Sequence, residues 1–342
     1  MSGPSSIGRY PVIRRLGSGA FATVWLGHDP QFDVDVAIKV LADNWAADAG
    51  IRERFTAEAR FLRRIRDRRV VHVYDIGTLE DGRPYFVMDY LDAGSLEDLR
   101  LSRVAPDEAL RLCAEAARGL DVLHRHHLVH RDVTPGNLLL ASRPDGSWAV
   151  VVADLGVARS IVDSSAGAMI VGTPSYMAPE QAGSGAVDHR ADLYALCAVA
   201  YALLTGHPPF PVERVADLAT RGAEVRPPPL AAALGAPATL DGLLVSGLAT
   251  DPHRRPPTAA LLADALERVA EDLARVRAAA VSTAQAVPHA PGTISPVAPV
   301  PAPATPAPPG RPGRSSAFYI AMTALAVVVF AVFVAVVVGS SL

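Results

Sequence analysis

Lys39 is the single lysine among the 32 lysines and arginines of this chain. Where charge alone matters the two residue types exchange, but a planar guanidinium does not replace a compact ammonium. Lys39 closes the strand-like run Val36-Ala37-Ile38-Lys39. An ammonium there can hold phosphate oxygens if a carboxylate orients it, and Glu58, in a helix-like stretch, is suitably placed. Upstream, residues 17–24 (GSGAFATV) form a glycine-rich loop whose backbone can approach phosphates and offer them N–H groups. Alone this signal is weak, because it also matches a dinucleotide fingerprint with Ala22 in third place. That fingerprint must open a helix, whereas strand-like Val24–Asp29 follows here. Further on, His130-Arg131-Asp132 is followed by Asn137, and Asp154-Leu155-Gly156 begins 22 residues after Asp132. An Asp to accept a hydroxyl proton, with an Asn and an Asp to hold Mg²⁺, is what phosphoryl transfer requires.

Taken in order, and with Ala178-Pro179-Glu180 after them, these elements resemble the eukaryotic-type protein kinases, in particular the bacterial transmembrane Ser/Thr kinases. The resemblance covers about residues 8–270. It implies an α+β bilobal kinase fold, with a small β-rich N-lobe and a large α-helical C-lobe. It implies transfer of the γ-phosphoryl of ATP, with Mg²⁺ or Mn²⁺, to Ser and Thr hydroxyls of proteins and of the chain itself. Residue by residue, it assigns Gly17, Gly19 and Ala22 to the phosphate loop, with Leu16, Val24, Ala37, Leu139 and the gatekeeper Met88 around adenine. The backbone of Asp89 and Leu91 would bond the base. Lys39 and Glu58 become the ion pair, Asp132 the catalytic base, and Asn137 and Asp154 the metal ligands. Arg255 looks like the partner of Glu180, and Asp192 like the anchor beneath His130. The activation segment would run from Asp154 to Glu180, with Thr173 in the Ser/Thr-specific pattern and Ser164 or Ser165 as autophosphorylation sites facing Arg131. One departure is Thr134, which stands where the family usually has a lysine reaching the γ-phosphate. It leaves open a second reading: a membrane-tethered pseudokinase that binds nucleotide or docks partners with little turnover.

The elements that must position these residues are legible too. VWLGHD, VDVAIKVL and YFVMDY read as strands, and residues 50–66 between them as a helix. After Gly94 the pattern turns helical. Pro106-Asp107-Glu108 starts a helix with Ala109, Leu112, Cys113, Ala116, Leu120 and Leu123 on one stripe, and another runs from Asp192 to Leu204 before Thr205-Gly206.

A formal net charge of −3 argues against nucleic acid as a partner. The two cysteines, Cys113 and Cys197, fall in apolar helical patterns and read as core residues of a reduced compartment. His124, His126 and His127 at a helix end, the arginine run 63–69 and the three tryptophans carry no chemistry in this reading. Residues 281–316, with ten prolines between Pro288 and Pro312, read as an extended linker. Residues 317–339 are a 23-residue uncharged run. At about 1.5 Å per residue such a helix spans the roughly 30 Å hydrocarbon core. Arg311 and Arg314 precede it and nothing basic follows, so the domain is expected on the cytoplasmic side with the C-terminus outside. The expected partners are ATP, protein substrates, the bilayer, and possible homodimerisation.

Overall fold

The computed structural model describes residues 4–155, 174–183, 186–212, 217–218 and 225–285, with side chains through position 279. These residues belong to one compact unit, Met1–Val287. The activation-segment expectations at Ser164, Ser165 and Thr173, and the run 317–339, lie outside the described residues. Among the described residues no helix is long and apolar enough to cross a membrane.

The first lobe is an antiparallel sheet of β1 (Ser6–Ile7), β2 (Tyr10–Ser18), β3 (Ala22–Asp29), β4 (Val34–Leu41), β5 (Val73–Thr78) and β6 (Pro84–Asp89), in the order β1-β2-β3-β4-β6-β5. Strand periodicity of two decides which residues reach the active face. On β4, Val36, Ile38 and Val40 point to a small apolar cluster with Tyr85 and Val87 of β6. The alternate residues Ala37 and Leu41 join the main core with Phe86 and Met88, so Lys39 between them must point the same way. On that face lies α1 (Ala49–Arg64), whose N-terminus is capped by Asp48 accepting from the Ile51 amide at 2.9 Å. Its buried stripe is Ile51, Phe55, Glu58, Ala59 and Leu62, so helical spacing places one carboxylate in an otherwise apolar row.

The second lobe is helical: α2 (Leu96–Ser102), α3 (Pro106–Arg125), α4 (Arg190–Thr205), the single turn α5 (Ala231–Leu234), α6 (Thr239–Gly247) and α7 (Ala259–Gln285). A two-stranded ribbon, β7 (Leu138–Ser142) with β8 (Trp148–Val152), packs on α3. Pro106 at the first position and Asp107 and Glu108 in the first turn start α3 as the sequence suggests. Fourteen of the sixteen residues of α4 are buried, and Gly206, with φ of 89°, ends it by a left-handed turn. Cys113 of α3 and Cys197 of α4 are both in the core. The last helix runs to Gln285, five residues into the range read as linker, because VRAAAVSTAQ carries no proline to stop it before Pro288.

Candidate active site

Between the lobes lies a cleft of about 220 Å³ lined by Gly17, Gly19 and Val24 from the loop and β3, Lys39 from β4, Glu58 from α1, and Asp132, Asn137 and Asp154 from the helical side. Lys39 is its centre. Its Nζ donates to Glu58 Oε1 at 2.9 Å and pairs with Asp154 Oδ1 at 3.0 Å. The rings of Phe86 and Phe55 lie 5.4 and 5.9 Å from the ammonium. Burial alone would lower the pKa of Lys39, but Asp154 and Glu58 outweigh it and hold the group well above the ordinary lysine range, so it stays cationic. Glu58 is driven the other way from a usual ion-pair carboxylate. Burial raises it to about 7, Lys39 opposes that, and the negative neighbours Asp154 and Asp132 add to it.

The segment His130–Asn137 is fixed from beneath by Asp192, which is 1 % exposed. Its Oδ2 accepts from the His130 amide at 2.8 Å and its Oδ1 from the Arg131 amide at 2.8 Å. His124 Nε2 also meets Oδ2 at 2.8 Å and must donate, since a carboxylate can only accept. His130 itself is fully buried, with Nε2 2.9 Å from the carbonyl of Ala153. Nε2 therefore carries the proton, and Nδ1 accepts from the Asp132 amide at 3.3 Å. Asn137 Nδ2 donates at 2.8 Å to both the carbonyl and Oδ2 of Asp132, which fixes the carboxylate and leaves the amide oxygen Oδ1 as an acceptor. Arg131 (φ 65°) and Asp154 (φ 58°) both hold left-handed backbone, a strain of about 1–2 kcal/mol each that surrounding bonds must offset. Arg255, 4 % exposed, makes the two-pronged pair with Glu180 at 2.6 and 2.8 Å.

Of the residues singled out from the sequence, nine therefore meet at one cleft: Gly17, Gly19, Ala22, Val24, Lys39, Glu58, Asp132, Asn137 and Asp154. Ala37 and Met88 sit in the main core, with Leu16, Leu91 and Leu139 packed against it. The Asp89 amide donates to His72. Thr134 begins the turn Pro135–Asn137, half-buried and extended. Unmarked in the sequence are the bond from His124 to Asp192, Phe55 on the cleft wall, and Trp45, whose indole N–H bonds Ala20 in the glycine loop. Only the apolar spacing of α1 could have flagged Phe55.

An ammonium braced by two carboxylates, facing a loop with room for phosphates and an Asp held by an Asn, defines a nucleotide-dependent phosphotransferase of two lobes. The comparisons narrow this class. The protein kinase domain family matches residues 10–265. Serine/threonine-protein kinase PknL of Mycobacterium tuberculosis is 35 % identical over 272 residues, covering 78 % of this chain and 67 % of PknL. PknB of the same species is 36 % identical over 280 residues, but the chain spans only 44 % of that protein. Among solved structures, the kinase domain of M. tuberculosis PknI superimposes with a TM-score of 0.62 at 32 % identity, covering 79 % of this chain and all of that one. The chain belongs to the protein kinase family, among the eukaryotic-type bacterial Ser/Thr kinases.

Proposed function

We propose that the chain transfers the γ-phosphoryl of ATP to Ser and Thr hydroxyls of proteins, itself included, and that it does so tethered to a membrane by residues 317–339, beyond a proline-rich linker. The observation that carries the catalytic reading is Lys39 braced between Glu58 and Asp154 across a cleft that also holds Asp132 and Asn137. A Cβ built at Gly17 meets nothing within 4 Å, so that glycine is not required by packing and its open side is room for a phosphate. In this reading Leu16, Val24, Ala37, Met88 and Leu139 enclose adenine, and the Asp89 carbonyl and Leu91 amide bond its edge. Lys39, oriented by Glu58, holds the α- and β-phosphates. Asp132, aligned by Asn137, accepts the proton of the attacking hydroxyl. The amide oxygen of Asn137 and the Asp154 carboxylate are hard oxygen donors of the kind that suits Mg²⁺. When bound there, the metal supplies charge neutralisation to the phosphates. The rival reading, a docking module with little turnover, rests on Thr134, and nothing among the described residues favours it.

Incubating the full-length protein with labelled ATP and Mg²⁺ tests the reading. Incorporation into Ser or Thr is expected, with at least a 100-fold loss in Asp132→Asn. A similar loss is expected in Lys39→Arg, because a guanidinium does not fit between Glu58 and Asp154. Nucleotide binding without incorporation in the unmodified protein would establish the docking reading instead.

A further inference from the structure

The glycine loop is not left to its own flexibility. Its tip is gripped from the connection between β4 and α1, by a side chain that the catalytic reading does not use. Trp45 Nε1 donates to the carbonyl of Ala20 at 2.9 Å, and its ring stacks on Phe21 with centroids 5.2 Å apart and planes 16° from parallel. The Ala42 amide donates to the Phe21 carbonyl at 2.9 Å, and Gly19 closes the hairpin onto Ala22 at 2.8 Å. The same tryptophan also reaches α1 through the backbone. Its carbonyl accepts from the Asp48 amide at 3.1 Å, and Asp48 caps α1, the helix that carries Glu58. Ala20 and Phe21 both line the cleft.

We propose that Trp45 is a positioning residue for nucleotide: it sets the height of the glycine loop over the phosphates and ties that height to the placement of α1. The geometry gives it two separable handles. The indole N–H fixes one carbonyl at the tip, and the ring face fixes Phe21. A glycine-rich hairpin has many accessible conformations, so fixing it in advance lowers the ordering cost charged to each binding event. Trp45 is half-buried at the edge of the core, so its loss need not unfold the lobe.

The inference rests on the kinase reading, and the experiment separates the two. In the full-length protein, Trp45→Ala is expected to raise the KM for ATP about tenfold, while kcat changes less than about threefold and the melting temperature moves little. Trp45→Phe, which retains a stacking ring but no N–H, should recover about half of the loss on a logarithmic scale. The chain has three tryptophans, so Trp25→Phe with Trp148→Phe leaves Trp45 as the only indole. Its fluorescence should change on adding ATP or a non-hydrolysable analogue, whether or not phosphate is transferred. A change without transfer would sink the kinase reading and keep the clamp. An unchanged KM in Trp45→Ala, or a KM that shifts only in step with a fall in melting temperature and is equal in the Phe and Ala variants, overturns the clamp.

Discussion

Glu58 is a carboxylate kept where its charge is costly, and that has consequences for pH. Its pKa is raised to about 7 chiefly by burial, so in the folded chain it is protonated below about 7 and ionised above. The protonated form no longer attracts the ammonium, and Lys39, cationic throughout, is left to Asp154. The log of kcat/KM is therefore expected to fall below pH 7 with a slope near one, about tenfold per unit, and Glu58→Gln should abolish this acid limb at a low activity plateau. Stability runs oppositely. A carboxyl raised in the fold contributes stability that is complete below its unfolded value of 4.5 and lost as pH rises through about 7, so this group lowers the melting temperature over the range in which activity climbs. Parallel pH profiles of rate and melting temperature for the two forms check both signs. Thr134 gives another residue-scale expectation. It is half-buried, its backbone is extended (φ −134°, ψ 161°), and its hydroxyl does not cap the following turn, so lysine fits there without losing a bond. A cation near the transferring group that adds about 1.4 kcal/mol of transition-state stabilisation raises kcat tenfold in Thr134→Lys, with ATP affinity unchanged. Steady-state kinetics that show no gain would mean that another group supplies the charge or that chemistry does not limit turnover.

At the scale of elements, α4 is both the core of the helical lobe and the foundation of the catalytic segment. Asp192 enters from its first turn and satisfies three donors from two other segments. Asp192→Ala leaves His124 and two amides without their acceptor, at about 1–3 kcal/mol for each donor left unpaired. We expect a loss of about 3–5 kcal/mol in denaturant unfolding, and a fall in kcat larger than the populated folded fraction explains. Asp192→Asn, which keeps an acceptor oxygen, should recover part of both. Much of this scaffold was readable beforehand, because apolar spacing and end signals are local. The helix expected over residues 50–66 is Ala49–Arg64, and the one expected from Asp192 begins at Arg190. That Asp132, Asn137 and Asp154 would come together could be read from their types and spacing, and they line one cleft. What stayed hidden depends on contacts across distant segments. Nothing local marks that Trp45 meets Ala20, 25 positions earlier, or that His124 meets Asp192, 68 positions later. Similarly, an alanine-rich stretch is as compatible with a continuing helix as with a linker, and α7 runs on to Gln285.

The whole molecule divides its charge unevenly, and that division argues how it is held in the cell. All 32 lysines and arginines lie before residue 317, and the last 26 residues carry no charge. A helix through 317–339 would be about 35 Å long, enough to cross the roughly 30 Å hydrocarbon layer, and its uncharged circumference offers no face to water. The compact unit ends at Val287, and ten prolines lie between it and the apolar run. If residues 317–339 are the proposed tether, removing the chain from Pro309 onward cuts it without touching any residue that packs in the described core. We expect the truncated protein in the soluble fraction, with a cooperative melting transition and a kcat within about twofold of the full-length chain. The full-length chain should stay in the pellet after carbonate extraction, which removes proteins held only by surface contacts. A truncated chain that still resists carbonate would place the membrane attachment within residues 1–308 and refute a tether at 317–339.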